Sequence, residues 1–359
     1  MKEGISVEKL IDSIERDQEE KVDYLVRASA INALVNDRGC PRLSLEGYGD
    51  FGITPHAHTQ LAGYTKIPFN YLERMSGEAP ELFADNLNYW LQRDKRSRMI
   101  RTIGDQVRAI LSPRYRRLDN HNFARVVLPG LERLDARIAS CGLSDSRVYI
   151  KAVLQGVKVE MDPVTFEPAL IISNSEVGAG AVEVRMAIHT SPCSNMVVWA
   201  RPALARFSSE NRLQRRHLGP DRSLGPEENV RKLPSNGAQN PDEQLFWEMV
   251  QETVERGVDP DSFNEFVDSL REARNIGMSS KEEAERVVEG LRRRKSLAED
   301  EVKGILKYLF EEGDLSKFGL SNAITRFSQD VENYDRASFF ERVGGEIIAM
   351  PNSQWRSLN

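Results

Sequence analysis

Cysteine is scarce in this chain: Cys40, Cys141 and Cys193 are the only three in 359 residues, and they are widely spaced. Such numbers support neither a disulfide framework nor a thiolate metal knuckle, and point to a reducing compartment, the cytoplasm. No apolar run approaches the roughly 18 residues needed to cross a bilayer, so a membrane is not expected as a partner. The opening residues 1–21 are amphipathic and acidic, unlike a secretory leader. There is no G-x-x-x-x-G-K-[ST] phosphate loop, which argues against an ATP-driven recombinase or helicase, and no G-x-S-x-G nucleophile elbow. With no metal-ligand cluster either, no cofactor is expected and an enzymatic role is disfavoured.

What is present is an ordinary globular composition, 40% hydrophobic and 29% charged, with enough apolar residues to rule out wholesale disorder. The formal charge of −6 is unevenly spread. Between residues 93 and 151 stand 14 Lys/Arg against 6 Asp/Glu, and between 201 and 222 stand 6 against 2. The block 93–222 carries a net +9 and the remainder of the chain −15. That asymmetry suggests a basic functional surface on an acidic body. The plainer alternative is that the arginines are scattered and solvated.

Hydrophobic periodicity predicts a helical region over residues 1–97. Val7, Leu10, Ile11 and Ile14, then Leu25, Ile31 and Leu34, suggest one or two helices across 6–36. A short strand at Arg42-Leu43-Ser44-Leu45 follows. Thr54-Pro55 reads as N-cap and first helical residue, and further helices open at Pro68 and Pro80. From residue 98 the pattern changes to short apolar runs. Met99 to Ile103 and Val107 to Leu111 flank the hairpin signal Gly104-Asp105. Strands are expected again at 147–154, 157–161, 169–173 and 181–188, with one helix after Asp119 that must accommodate Pro129. The expected fold class is therefore α+β: a mostly antiparallel sheet with a packed helix in a basic core (98–207), a polar loop or linker (208–241), and a helical C-terminal region (242–359).

Several strings invite chemical readings. Gly47-x-Gly49-x-x-Gly52 matches a dinucleotide fingerprint as letters, but its surroundings favour a glycine turn. His56-x-His58 on a helix would point its imidazoles about 200° apart, unsuited to one metal. Cys193 near His189 is the nearest approach to a nucleophilic pair. The richest segment is Ser112-Pro113-Arg114-Tyr115-Arg116-Arg117, where guanidinium groups can pair with phosphates and Tyr115 can stack a base. Arg212, Arg215, Arg216 and His217 form a second basic cluster in the polar loop. For both clusters the alternative is surface solubility, or pairing with acidic helices of the same chain.

Together these segments resemble the phage/plasmid-like protein family, a domain family of unknown function. The resemblance is carried by Ile53-Thr54-Pro55-His56-Ala57 with Gln60-Leu61-Ala62, Ile67-Pro68 and Tyr71-Leu72, and by Asp85-Asn86-Leu87-Asn88-x-Trp90-Leu91. It continues through Leu111-Ser112-x-Arg114-Tyr115-x-x-Leu118-Asp119-Asn120, Ile172-Ser173-Asn174-Ser175-Glu176-x-Gly178 and Arg216-His217-x-Gly219. Near the end, Asn322-Ala323-Ile324-Thr325, Gly344-Gly345 and Trp355 also fit. Cys193-Ser194-Asn195-Met196 departs from the Cys-x-Asn-Gly run such proteins often carry. The family's sheet-and-helix core looks like that of the single-strand annealing recombinases, which work without ATP as rings or filaments. The resemblance therefore implies a homo-oligomer that binds and anneals single-stranded DNA. Arg114, Arg116, Arg117 and Lys151 would contact phosphates, Tyr115 would stack on a base, and Arg215, Arg216 and His217 would close over the strand. The rival expectation is a protein-interaction factor of a phage or plasmid, such as a counter-defence protein, that uses its acidic helical part and has no direct DNA role.

Overall fold

Ser6 caps the first helix, α1 (Val7–Glu20), by accepting a hydrogen bond from the Lys9 backbone N–H, and Leu10 and Ile14 supply its buried stripe. The structure, a computed structural model, describes residues 2–191, 193–199, 222–234 and 241–358. It is an α+β fold with two mostly antiparallel sheets and helices at both ends.

The expected helix over 6–36 stops at Glu20. Beyond it, β1 (Lys21–Arg27) and β2 (Ile31–Val35) are strands, followed by β3 (Pro41–Leu45) and β4 (Gly49–Ile53). The reason is period-2 alternation in β1. Val22, Tyr24 and Val26 join a core under the helices, while Leu25 faces the opposite side with Met99. The glycine-rich string is the β3–β4 hairpin turn, with Gly47 and Gly49 at φ +78° and +108°. Helices α2 (Pro55–Thr65), α3 (Phe69–Glu78) and α4 (Pro80–Leu91) then cover one face of this sheet through Leu61, Leu72, Phe83 and Leu87. Thr54 caps α2 and Pro55 opens it, as the sequence predicts.

Strands β5 (Ser97–Ile103) and β6 (Gln106–Leu111) complete the first sheet through the expected Gly104-Asp105 turn. The boundary drawn at residue 98 thus falls inside a sheet, since β1 pairs with β5 along its whole length. Helix α5 (Asn120–Arg133) runs through Pro129 and leads into β7 (Ala136–Leu143), β8 (Val148–Leu154), β9 (Val159–Met161), β10 (Val164–Asn174), β11 (Glu183–Ser191) and β12 (Asn195–Val198). These six strands form the second sheet, ordered β12-β11-β10-β8-β7 with β9 paired to β10. Within the stretch expected as a linker, Val230–Lys232 forms β13 and pairs with β1. The first sheet is therefore ordered β13-β1-β5-β6-β4-β3-β2, all antiparallel but for the β4–β6 pair. Its β2 edge is blunted by Asn88 of α4, whose side-chain amide bonds both the N–H and the C=O of Ala33, at 2.7 and 2.8 Å.

The C-terminal part is helical: α6 (Pro241–Arg256), α7 (Pro260–Arg274), α8 (Lys281–Lys295), α9 (Glu299–Glu312), α10 (Lys317–Phe327), α11 (Tyr334–Ala349) and α12 (Asn352–Arg356). One face of the second sheet packs on α5 and α6 through Leu170, Ile172, Phe123 and Val250. Phe263, Phe266 and Leu270 of α7 pack on Phe166, Met186 and Ile188. Helices α8 to α11 enclose a core of their own around Leu291, Ile305, Ile324 and Phe340.

Helix α11 lies so close to β12 that a Cβ on Gly345 would stand 1.6 Å from the Val198 carbonyl oxygen. Gly345→Ala is therefore expected to destabilise the fold by about 1–3 kcal/mol, because helix and strand must separate to admit the methyl group. Urea unfolding measures this, and an unchanged midpoint would mean that α11 does not seat on β12.

Candidate nucleic-acid interface

Asp23 and Arg101 stand directly opposite each other on β1 and β5. Arg101 is fully buried, and its Nε and Nη2 donate to the two Asp23 carboxylate oxygens at 2.7 and 2.8 Å. Its Nη1 reaches Asp119 at 2.9 Å and the Glu176 carbonyl at 2.8 Å. Lys21 adds ion pairs to Glu176 at 3.0 Å and Asp119 at 3.4 Å. Glu176 also accepts from the Asn120 backbone N–H at 2.9 Å, and the Asn174 amide donates to the Leu118 carbonyl at 2.8 Å. Burial works to raise the Glu176 pKa, but Lys21 and then Arg101 outweigh it and hold the carboxyl below its ordinary value. The segments around Tyr115 and around Asn174 thus meet at the junction of the two sheets.

That geometry corrects three of the expected contacts. Tyr115 is buried, with its hydroxyl on the Ser175 carbonyl at 3.0 Å, so its ring has no open face for a base. Burial also pushes that hydroxyl's pKa well up. Arg117 is buried too, donating to the Pro234 carbonyl at 2.8 Å with Asp23 at 3.5 Å. Lys151 is fully buried and 2.7 Å from Glu341 of α11. As placed, neither cation is presented to a phosphate. Arg114 is exposed, and the Arg116 guanidinium sits 5.0 Å from the Phe246 ring centre. Arg215, Arg216 and His217 lie outside the described residues.

The other chemical readings also resolve. His56 Nε2 lies 3.0 Å from the Val177 carbonyl, and His58 packs against the rings of Phe69 and Phe83. His189 has Glu167 as its Nδ1 neighbour at 3.0 Å. No group of three metal-ligating side chains occurs among the described residues, and no described helix is long and apolar enough to cross a membrane.

Exposed aromatic and basic residues gather elsewhere, on α3, α4 and the turn into β5. Tyr71, Tyr89 and Trp90 are 47%, 51% and 48% exposed, far more than packing requires of such rings. Tyr71 and Trp90 line a groove of about 680 Å³ together with Tyr64, Lys66, Arg93 and Arg96. The Arg93 guanidinium lies 3.6 Å from the Tyr89 ring centre and donates to the Tyr89 carbonyl at 2.8 Å. Tyr64 carries Arg98 on its face at 3.9 Å and donates its hydroxyl to Asp94 at 2.6 Å. Arg96 above all, with a smaller help from Tyr64, holds the Asp94 carboxyl well below its usual range against the opposing effect of burial. Asp94 is the only acidic group in the lining, against Lys66, Arg93 and Arg96, so the groove is net positive.

Tyr89, Trp90 and Leu91 are consecutive, and at 100° per residue they cannot all face one core. Leu91 takes the core position and the two large rings are left outside. Adjacent aromatics ending an amphipathic helix beside Arg93 and Arg96 were the legible signal.

Compared with known proteins, the chain matches no family model, no curated protein and no solved structure.

Two outcomes test the buried pairs. Lys151→Met should cost about 3–5 kcal/mol by leaving Glu341 buried and unpaired, while Lys151→Met with Glu341→Leu should recover much of that in the same unfolding assay. Additive losses would mean the pair does not interact. Because the Glu176 pKa is depressed in the folded chain, its contribution is present above the ordinary value of 4.5 and lost as pH falls through the lower folded value. Glu176→Gln should flatten that acidic limb of the stability profile.

Proposed function

We propose that the protein binds single-stranded DNA without ATP and anneals it to a complement, working as a homo-oligomer. The observation that carries this reading is the groove beside α3 and α4, which exposed rings and cations line together. Sequence-tolerant strand binding needs both parts: π-faces for bases, each worth about 1–3 kcal/mol, and cations tracking the phosphates. Tyr71 and Trp90 supply the faces, and Lys66, Arg93 and Arg96 the charge. Asp94 fixes Arg96 through bonds of 2.6 to 3.0 Å, so this guanidinium is already ordered before a strand arrives. Annealing then requires no covalent step. Bases held apart on the groove pair with a complement, and base pairing drives release. The oligomer comes from the resemblance to the annealing recombinases.

A protein-interaction role is the second reading, favoured by Phe69 and Leu82, which are 38% and 48% exposed on the same two helices and carry no charge.

Fluorescence anisotropy with a labelled single-stranded oligonucleotide over a salt series separates them. Trp90→Ala should weaken binding on the order of tenfold or more. Arg93→Ala with Arg96→Ala should reduce the salt slope by about 1.4, since each of the two phosphate contacts on a single strand contributes roughly 0.7. No binding at low salt sinks the nucleic-acid reading and leaves the interaction role. Equal affinity for duplex DNA removes the annealing step.

A further inference from the structure

Among the described residues the buried cations are Arg101, Arg117, Lys151 and Lys317, beside Lys21, whose side chain is 6% exposed and paired with Glu176 and Asp119. The first three each have a carboxylate within ion-pair distance. Lys317 has none among the described residues. It is 3% exposed, and its Nζ donates to the backbone carbonyl of Met350 at 2.7 Å. An ammonium has three protons to place, and a buried one without a counter-ion is costly by several kcal/mol. Burial accordingly lowers the Lys317 pKa, with Glu272 opposing the shift.

Lys317 borders a cavity of about 240 Å³ between α7, the start of α10 and the turn from α11 to α12. This lies below the roughly 300–1,000 Å³ of pockets that take drug-sized ligands, so its occupant is small. Glu272, exposed on α7, lines the same cavity without closing an ion pair to Lys317. The lining is mostly polar; Phe266, Trp199 and Ile348 contribute its smaller apolar part, and the first two rings are stacked at 5.0 Å. The cavity therefore has a cation and an anion that are not bridged, and a small apolar patch.

We propose that this cavity binds a small zwitterion of the α-amino-acid class. Its carboxylate completes the shell of the Lys317 ammonium, its ammonium turns toward Glu272, and a short aliphatic side chain rests on Phe266, Trp199 and Ile348. A ligand with both charges meets both side chains at once, whereas one with a single charge gains only one of the two contacts. The site is separate from the groove on α3 and α4 and does not depend on the nucleic-acid reading.

Isothermal titration of the full chain with L-norvaline, pentanoate and butylamine tests this, because the last two each keep one of its charges. Saturable binding of L-norvaline is expected, with pentanoate at least about tenfold weaker and butylamine silent. Glu272→Gln, at an exposed position, should leave thermal stability unchanged and bring L-norvaline down to the affinity of pentanoate. Lys317→Met should abolish binding, and if that variant fails to fold, Glu272→Gln still decides. No saturable heat from L-norvaline on the wild-type chain overturns the proposal. So does equal affinity for pentanoate, or an affinity unaltered by Glu272→Gln.

Discussion

The contact on which the two sheets depend is the bidentate pair between Arg101 and Asp23. It joins neighbouring strands of the first sheet, and the third nitrogen of the same guanidinium reaches Asp119 and the Glu176 backbone at the second. A fully buried guanidinium is tolerable only where its donors are met by well-placed acceptors, since the desolvation cost of an unpaired charge exceeds most single contributions to stability. The surroundings meet that condition with Asp23, Asp119 and Glu176 set against Arg101, Lys21 and Arg117. Asp119 is also the residue from which α5 starts, and Glu176 holds the Asn120 N–H in its first turn. The placement of α5 on the second sheet and the docking of the sheets are thus one electrostatic problem with one solution.

The same cluster explains why a basic stretch of sequence is not a basic surface. Residues 93–151 carry a clear excess of Lys and Arg, but several of these cations face inward and are neutralised from far away in the chain. Arg101 finds Asp23 78 residues upstream, and Lys151 finds Glu341 190 residues downstream. A charge count along the sequence sees the cations and misses the distant carboxylates. Local features were legible because they depend on neighbours a few residues apart: the Thr54-Pro55 helix start and the Gly104-Asp105 hairpin form, and the alternating strand expected at 181–188 forms as Glu183–Ser191. Strands β1 and β2 were hidden because Leu25, Ile31 and Leu34 also suit helical spacing. Pairing with β5, 70 or more residues on, and with β13 beyond it settles 21–27 as a strand.

Several positions that carried the family resemblance acquire separate physical reasons. Leu87 and Leu91 are core, Asn88 covers the β2 edge, and Asn174 and Glu176 hold the start of α5. Gly345 admits the backbone of β12. Trp90 is the exception, because nothing in the packing of α4 requires a large ring there. A residue that stability does not explain is where a surface role is best sought, and Tyr71 and Arg93 beside it share that exposure.

The contrast among the buried cations makes the same point for charge. Arg101, Arg117 and Lys151 show that this fold can bury positive groups when it supplies carboxylates to meet them. Lys317, equally buried, is offered one backbone carbonyl and a cavity. At the first turn of α10 its charge opposes that helix's dipole, while its bond to the Met350 carbonyl sets the ammonium at the C-terminal end of α11, where positive charge is favoured. One carbonyl leaves further ammonium protons to place, and the cavity is where another acceptor can enter. Glu272 across the same cavity narrows the class of occupant to one that carries both signs of charge.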